Sequence, residues 1–273
     1  MKAEEVKKAV RKKYSTIAKD ETSCCCVKTT CECGETTKAK SKRMGYTEEE
    51  LLSAPKGANM GLGCGNPVAL ASLKEGEVVL DLGSGGGFDA FLAAKRVGEK
   101  GKVIGVDMTP EMLEKARANA KKGKFKNVEF RLGEIENLPV ADNSIDVIIS
   151  NCVINLSPDK GRVFNEAHRA LRVGGRLMVS DIVLLEKLPG FLKGSVEALT
   201  GCIAGAMLKD DYINAIKKAG FKSVSIVGES VYAITSLLND PKVKAAIKKY
   251  KLTKDQVNNY ANKVLSIKIT GMK

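Results

Sequence analysis

From residue 77 onward the chain alternates short apolar runs with longer amphipathic ones, and this rhythm constrains the fold more than any other feature. Glu77–Leu82, Lys102–Asp107, Val128–Leu132, Ile145–Ser150 and Gly175–Asp181 read as strands. Phe88–Val97, Pro110–Lys122 with Thr109 as N-cap, Lys160–Leu171, and Asp210–Ala219 ending at Gly220 read as helices. Strands buried on both faces are apolar throughout, and parallel neighbours need a crossover, usually a helix. The alternation therefore predicts an α/β fold with a doubly wound, mostly parallel sheet. Residues 186–208 break the rhythm and read as a cysteine-bearing insertion; Ser223–Val227 and Val264–Thr270 read as C-terminal strands.

Upstream, Val6, Ala9, Val10, Tyr14, Ile17 and Ala18 recur at helical spacing among lysines over residues 1–18. Residues 20–43 carry no period and read as a loop, whereas Thr47 followed by Glu48–Glu50 reads as a capped helix start ended at Ala54-Pro55-Lys56-Gly57. Asn59 to Pro67 reads as a glycine-rich loop, and no internal repeat is visible. Three segments follow: an N-terminal helix with a cysteine-rich loop at 1–58, a core at 59–185, and an insertion with a C-terminal helix/strand region at 186–273.

The 273 residues are 44% hydrophobic and 28% charged, which excludes a disordered chain and a small disulfide scaffold. The longest uncharged stretch, Gly57–Leu73, is 17 residues and glycine-rich, short of the roughly 18–20 apolar residues that cross a bilayer. Lys2, Glu4, Glu5, Lys7 and Lys8 occupy the N-terminus in place of an apolar signal core, so a soluble, cytoplasmic chain is expected; a monomer is a separate expectation. The net charge of +13 sits at the ends: +6 over 1–43, +8 over 241–273 and −1 between. A nucleic-acid enzyme needs basic residues around its cleft. Here the catalytic-looking middle is neutral and Trp is absent, so nucleic acid is disfavoured and the basic ends read as solvated helix faces.

Asp81-Leu82-Gly83-Ser84-Gly85-Gly86-Gly87 links the first strand to the first helix. Bare backbone and a helix N-terminus together suit a bound polar ligand. The G-x-G-x-G spacing lacks the third glycine of a dinucleotide fingerprint and has no Gly-Lys-Ser/Thr of a Walker A loop. Asp107 ends the second strand 20 residues past Gly87, where a carboxylate can accept both ribose hydroxyls of a nucleoside.

VVLDLGSGGGFD at 78–89 and GVD at 105–107 resemble motifs I and II of class I S-adenosylmethionine-dependent methyltransferases, which are Rossmann-like. The resemblance covers roughly residues 75–230. It implies S-adenosyl-L-methionine as donor. Gly83, Gly85 and Gly87 would line its methionine, Asp107 its ribose, and Glu134 with Ile135 its adenine. Asp81, Ser84, Met108 and Asn151 complete the implied set, with Ser150-Asn151-Cys152 beside the transferred methyl.

Eight cysteines remain to be explained: Cys24, Cys25, Cys26, Cys31, Cys33, Cys64, Cys152 and Cys202. Cys64 lies between two glycines, Cys152 follows the fourth strand at the ligand-binding edge, and Cys202 sits among small residues. Any one of them taken alone reads most simply as a small buried hydrophobe. Together they are soft ligands. Zinc usually wants four ligands, often with close-spaced pairs. Three separated thiolates suit a trivalent, pyramidal centre with a lone pair, as arsenic(III) is. In context and order, NMGLGCGNPVA at 59–69, SNCVINLSPDK at 150–160, GCIAGA at 201–206 and VRKKYSTIA at 10–18 resemble the arsenite S-adenosylmethionine methyltransferases over nearly the whole chain.

That resemblance implies arsenite methylation in arsenic detoxification, with Cys152 and Cys202 binding As(III) and Cys64 as third ligand or resolving thiol. An N-terminal cysteine would pair with Cys64 during redox cycling, reset by a thiol reductant of thioredoxin or glutathione type. The candidates are Cys24, Cys25, Cys26, Cys31 and Cys33. A separate thiolate site, or a loop with incidental thiols, is the other reading of that cluster. An arsenic lone pair carries no proton, so no general base is needed; His168, the one histidine, reads as structural or solvated. Rival functions are a quinone-type small-molecule C- or O-methyltransferase, a non-enzymatic thiolate metal-binding protein, and, from the basic ends alone, an RNA methyltransferase.

Overall fold

The computed structural model describes residues 3–19, 37–187, 203, 205–232, 241–250 and 253–273. All five N-terminal cysteines, and Cys202, lie outside the described residues.

Strands β1 (Val78–Leu82), β2 (Lys102–Asp107), β3 (Val128–Leu132), β4 (Ile145–Asn151) and β5 (Leu171–Leu184) alternate with helices α5 (Phe88–Val97), α6 (Pro110–Lys122) and α7 (Lys160–Ala170). Before them come α1 (Ala3–Lys19), α2 (Thr37–Arg43), α3 (Glu48–Ser53) and the single turn α4 (Pro67–Leu70). After them come α8 (Lys209–Lys218), β6 (Lys222–Val231), α9 (Pro241–Lys249), α10 (Lys254–Asn262) and β7 (Val264–Met272). The sheet runs β3-β2-β1-β4-β5-β7-β6. Its first five strands are parallel, and β7 pairs antiparallel with both β5 and β6. This is the class I methyltransferase fold. The strand order reverses between β1 and β4, and that reversal opens a crevice at the carboxyl edge.

Side chains alternate across the sheet as the two-residue period requires. Leu80, Leu82 and Ile148 pack beneath Phe164 and Tyr212 on one face, while Val79, Val147 and Ile149 pack against Phe91 and Val97 on the other. Fully burying such side chains contributes roughly 1.5–3 kcal/mol each, so the two apolar layers fix the strand ends on which the site is built.

Three elements depart from expectation. Residues 37–43 form a helix where a loop was expected, because tertiary contacts override local sequence: Lys38 and Lys42 both pair with Glu48, and Ser41 is buried against Asn59. Strand β5 runs to Leu184, past Asp181, because β7 continues its ladder as far as Leu184↔Val264. Thr109 holds the N-cap position of α6 without a side-chain cap; its N–H is taken by Asp107 instead. Elsewhere Thr47 forms the full capping box with Glu50. His168 packs edge-on against Phe221 at 5.3 Å. Strands β6 and β7, from the 186–273 segment, belong to the same sheet as the core strands. Among the described residues no helix is long and apolar enough to cross a membrane.

Candidate active site

Between β1 and β2 the chain turns tightly: the N–H groups of Gly83 and Ser84 both donate to the Val106 carbonyl, at 2.7 and 3.0 Å. Gly83 has φ +67°, and a Cβ there would lie 2.4 Å from Val153. Gly83→Ala combines left-handed strain with that clash, and we expect a loss of about 1–3 kcal/mol of stability with donor affinity at least tenfold weaker. Thermal melts with and without S-adenosylhomocysteine check both. Asp107 accepts from the backbone N–H of Gly85 at 3.0 Å and of Thr109 at 2.8 Å. Burial pushes its carboxyl up, and these donors pull it back. Asp81, the last but one residue of β1, is almost wholly buried. Burial first, then the charges of Asp89 and Asp107, hold its carboxyl well above the usual range, and its Oδ2 has no partner among the described residues.

One cleft gathers most of the expected cofactor set: Asp81, Gly83, Ser84, Gly85, Asp107, Met108, Ile135 and Asn151 all line it, as does Cys152. Gly87 and Glu134 do not. Gly87 starts α5 in a left-handed conformation. Glu134 turns to α1, taking Lys7 at 2.6 Å and Arg11 at 3.3 Å. Its neighbour Glu136 lines the cleft, held by the Ser157 hydroxyl at 2.6 Å. Helix α1 thus covers the cleft, with Lys7, Val10 and Tyr14 on its wall and a second anchor where Ser15 and Lys19 meet Glu111.

Asn151, at the end of β4, ties the cleft to the Cys64 loop. Its Oδ1 accepts from the N–H of Cys64 at 2.9 Å and of Gly65 at 3.3 Å. Its Nδ2 lies within hydrogen-bonding reach of the Gly65 carbonyl at 2.8 Å, Asp89 at 2.9 Å and Tyr46 Oη at 2.9 Å. Gly63 is a glycine because the approach is so close: a Cβ there would sit 2.5 Å from the Asn151 amide. Tyr46 donates in turn to Asp89 at 2.6 Å. Burial raises Asp89 to about 6, against the pull of the Tyr46 and Asn151 donors.

The next residue, Cys152, sits at φ +61°, a left-handed backbone for a non-glycine residue, with its N–H on the Ser180 carbonyl at 2.8 Å. The Cys64 thiol points to that same carbonyl at 3.4 Å, and the Cys64 carbonyl accepts from Ser266. Ligand atoms of Cys64, Cys152 and Asp181 all lie within 4.8 Å of one another, and all three residues are buried. Ile203, the residue after Cys202, belongs to the apolar cluster around the two cysteines. Asp181 accepts four hydrogen bonds, from the Asn155 side chain and N–H, the Ile182 N–H and Tyr212 Oη. Burial raises its carboxyl to about 6 despite them.

Sequence reasoning passed over Tyr46, Asp89, Glu136, Asp181 and Tyr212. Two of them left a signal: Asp89 follows the glycine loop by two residues, and Asp181 is an acid at the carboxyl edge of a parallel strand. Tyr46 and Tyr212 left none.

A family model described as a methyltransferase domain matches residues 73–220. An arsenite methyltransferase of Halobacterium salinarum is 50% identical over 230 residues, covering 82% of this chain and 59% of that protein. One of Aquipseudomonas alcaligenes is 42% identical over 180 residues, covering 63% and 51%. The chain therefore spans little more than half the length of these relatives. The crystal structure of an arsenic(III) S-adenosylmethionine methyltransferase from Chlamydomonas reinhardtii is similar at TM-score 0.64 and 36% identity, over 86% of this chain and 73% of that one.

Proposed function

Because the chain belongs to the methyltransferase-domain family, we propose that it transfers a methyl group from S-adenosyl-L-methionine to trivalent arsenic held by cysteine thiols. The observation that carries this reading is the meeting of the Cys64 and Cys152 sulfurs within 4.8 Å, with Cys152 on the wall of the cleft. A quinone-type methyltransferase has no use for that pair. A zinc-binding protein has no use for the cleft, and Asp181 has its four lone-pair positions already filled by protein donors. The names of the two relatives support the same substrate.

The cleft fits the donor by its own chemistry. The orphaned Asp81 oxygen wants a cation or donor, which the methionine ammonium provides. Asp107, fixed by two backbone donors, accepts from ribose hydroxyls. Met108 and Ile135 offer apolar surface to adenine, and Gly83, Ser84 and Gly85 give bare backbone to the methionine chain. Gly87 supports this from outside the lining, by starting α5, and Glu134 does so by pinning α1 over the cleft. When bound, S-adenosylmethionine supplies an electrophilic sulfonium methyl.

Cys64 and Cys152 hold arsenic through soft thiolates, with Cys202 as the third ligand; the packing of its neighbour Ile203 around the pair supports that assignment. Orienting nucleophile and methyl near 3–3.5 Å contributes on the order of 7–11 kcal/mol. After transfer the arsenic is formally pentavalent. Two thiols, Cys64 and one of Cys24, Cys25, Cys26, Cys31 or Cys33, return an electron pair to it by forming a disulfide. A thioredoxin- or glutathione-type reductant reopens that bond. A reducing cytoplasm suits such chemistry, and the chain acts in it as a monomer. S-Adenosylhomocysteine formation by the purified chain should depend on added arsenite. Equal turnover without arsenite would remove this reading, and turnover with RNA or a quinone in its place would substitute a rival.

A further inference from the structure

We propose that Asp181 is the fixed counter-charge for the cationic arsenic that methyl transfer creates. The inference rests on the arsenic reading above and deepens it. Binding arsenite is neutral overall: each cysteine thiol gives its proton to an arsenic hydroxyl, which leaves as water, and one As–S bond replaces one As–O bond. The thiolate-bound arsenic is uncharged. Methyl transfer changes that. The arsenic lone pair forms a C–As bond, the donor's C–S bond breaks, and its electron pair stays on sulfur. The donor becomes a neutral thioether and the positive charge arrives on arsenic.

A negative group close to the two sulfurs is therefore of little use in the ground state and most useful as the charge moves. Only interactions stronger in the transition state accelerate the step, and charges preorganised in a dry site do so most effectively. Asp181 meets these requirements. Its carboxylate lies within 4.8 Å of both thiols and is wholly buried. Asn155 at 2.8 Å, the Ile182 N–H at 2.8 Å and Tyr212 at 3.0 Å fix its orientation. Because protein donors fill its acceptor positions, it acts on arsenic through its field and not as a ligand.

The test uses the purified full chain as wild type, Asp181→Asn and Tyr212→Phe. Arsenite binding is read from the thiolate–arsenic ultraviolet absorbance. The methyl step is read from single turnover with saturating S-adenosylmethionine. We expect Asp181→Asn to bind arsenite within threefold of wild type and to transfer methyl about 10²-fold more slowly. Tyr212→Phe keeps the charge and removes one of its four donors, so it should slow transfer by less than tenfold with arsenite binding intact. An Asp181→Asn rate equal to wild type overturns the inference. So does loss of its arsenite binding, which would make Asp181 a builder of the thiol site. Should Asp181→Asn not fold, a tenfold slower Tyr212→Phe with intact arsenite binding overturns it too, by tracing the effect to the network and not the charge. A wild-type chain that binds arsenite and never methylates it removes the arsenic reading and this inference together. A methylating wild type beside an equally fast Asp181→Asn removes the inference alone.

Discussion

Cys152→Ser should lower arsenite-dependent methyl transfer by at least 10³-fold while leaving S-adenosylmethionine affinity within about twofold. The split follows from where the side chain sits. Serine matches cysteine in shape and tolerates the same left-handed backbone at φ +61°, so the turn after β4 and its bond to the Ser180 carbonyl persist. Donor recognition through Asp81, Asp107 and the glycine loop lies elsewhere on the wall. The lost sulfur is a soft thiolate, and a hydroxyl is a hard, far weaker acid that does not replace it on arsenic. With one member of the pair gone, the substrate's lone pair is no longer aimed at the methyl, and the positioning contribution goes with it. Calorimetric titration of the donor and chromatographic detection of methylated arsenic separate the two effects. Turnover near wild type would mean that the sulfur cluster is not the acceptor site.

The fold was largely legible because its signal is periodic. Apolar runs such as Val103–Val106 and Val147–Ile149 are buried on both faces, and burial of that kind leaves a continuous mark in sequence. The same holds for the glycine loop and for Asp107, whose chemistry depends on position along one strand–turn–helix unit. What sequence reasoning could not reach depends on pairs distant along the chain. Tyr46 and Asp89 are 43 residues apart and meet at 2.6 Å. Asp181 and Tyr212 are 31 apart. Neither tyrosine differs locally from a core aromatic. Glu134 marks the opposite case: it holds the right place after β3, but the lysine and arginine of α1, more than 120 residues upstream, take its carboxylate. Chain position identified the loop, whereas tertiary electrostatics decided which way its acid turned.

The same dependence on distant partners makes Asn151 the second large effect. Asn151→Ala removes the acceptor for the Cys64 and Gly65 N–H groups and a donor to the buried Asp89. A buried polar group left unsatisfied costs about 1–3 kcal/mol, so a loss of about 2–4 kcal/mol is expected, after some of the freed groups find water. The loss should depend on pH. Asp89 in the folded chain titrates at about 6, above its ordinary 3.8. Its contribution to stability is thus fully present below the unfolded value and is lost as pH rises through the folded one. Removing the Asn151 donor raises the folded value further, so the variant's deficit should be larger at pH 8 than at pH 5. Arsenite affinity should fall at least tenfold, because the backbone that seats the Cys64 thiol is released. Asn151→Asp separates the two roles: it keeps an acceptor for Cys64 and sets a second carboxylate against Asp89. Its deficit should therefore be steeper with pH, with arsenite binding recovering at pH 5. Melts across pH 5–8 together with arsenite titrations measure both, and an Asn151→Ala deficit that is flat with pH would mean that Asp89 is not the group it supports.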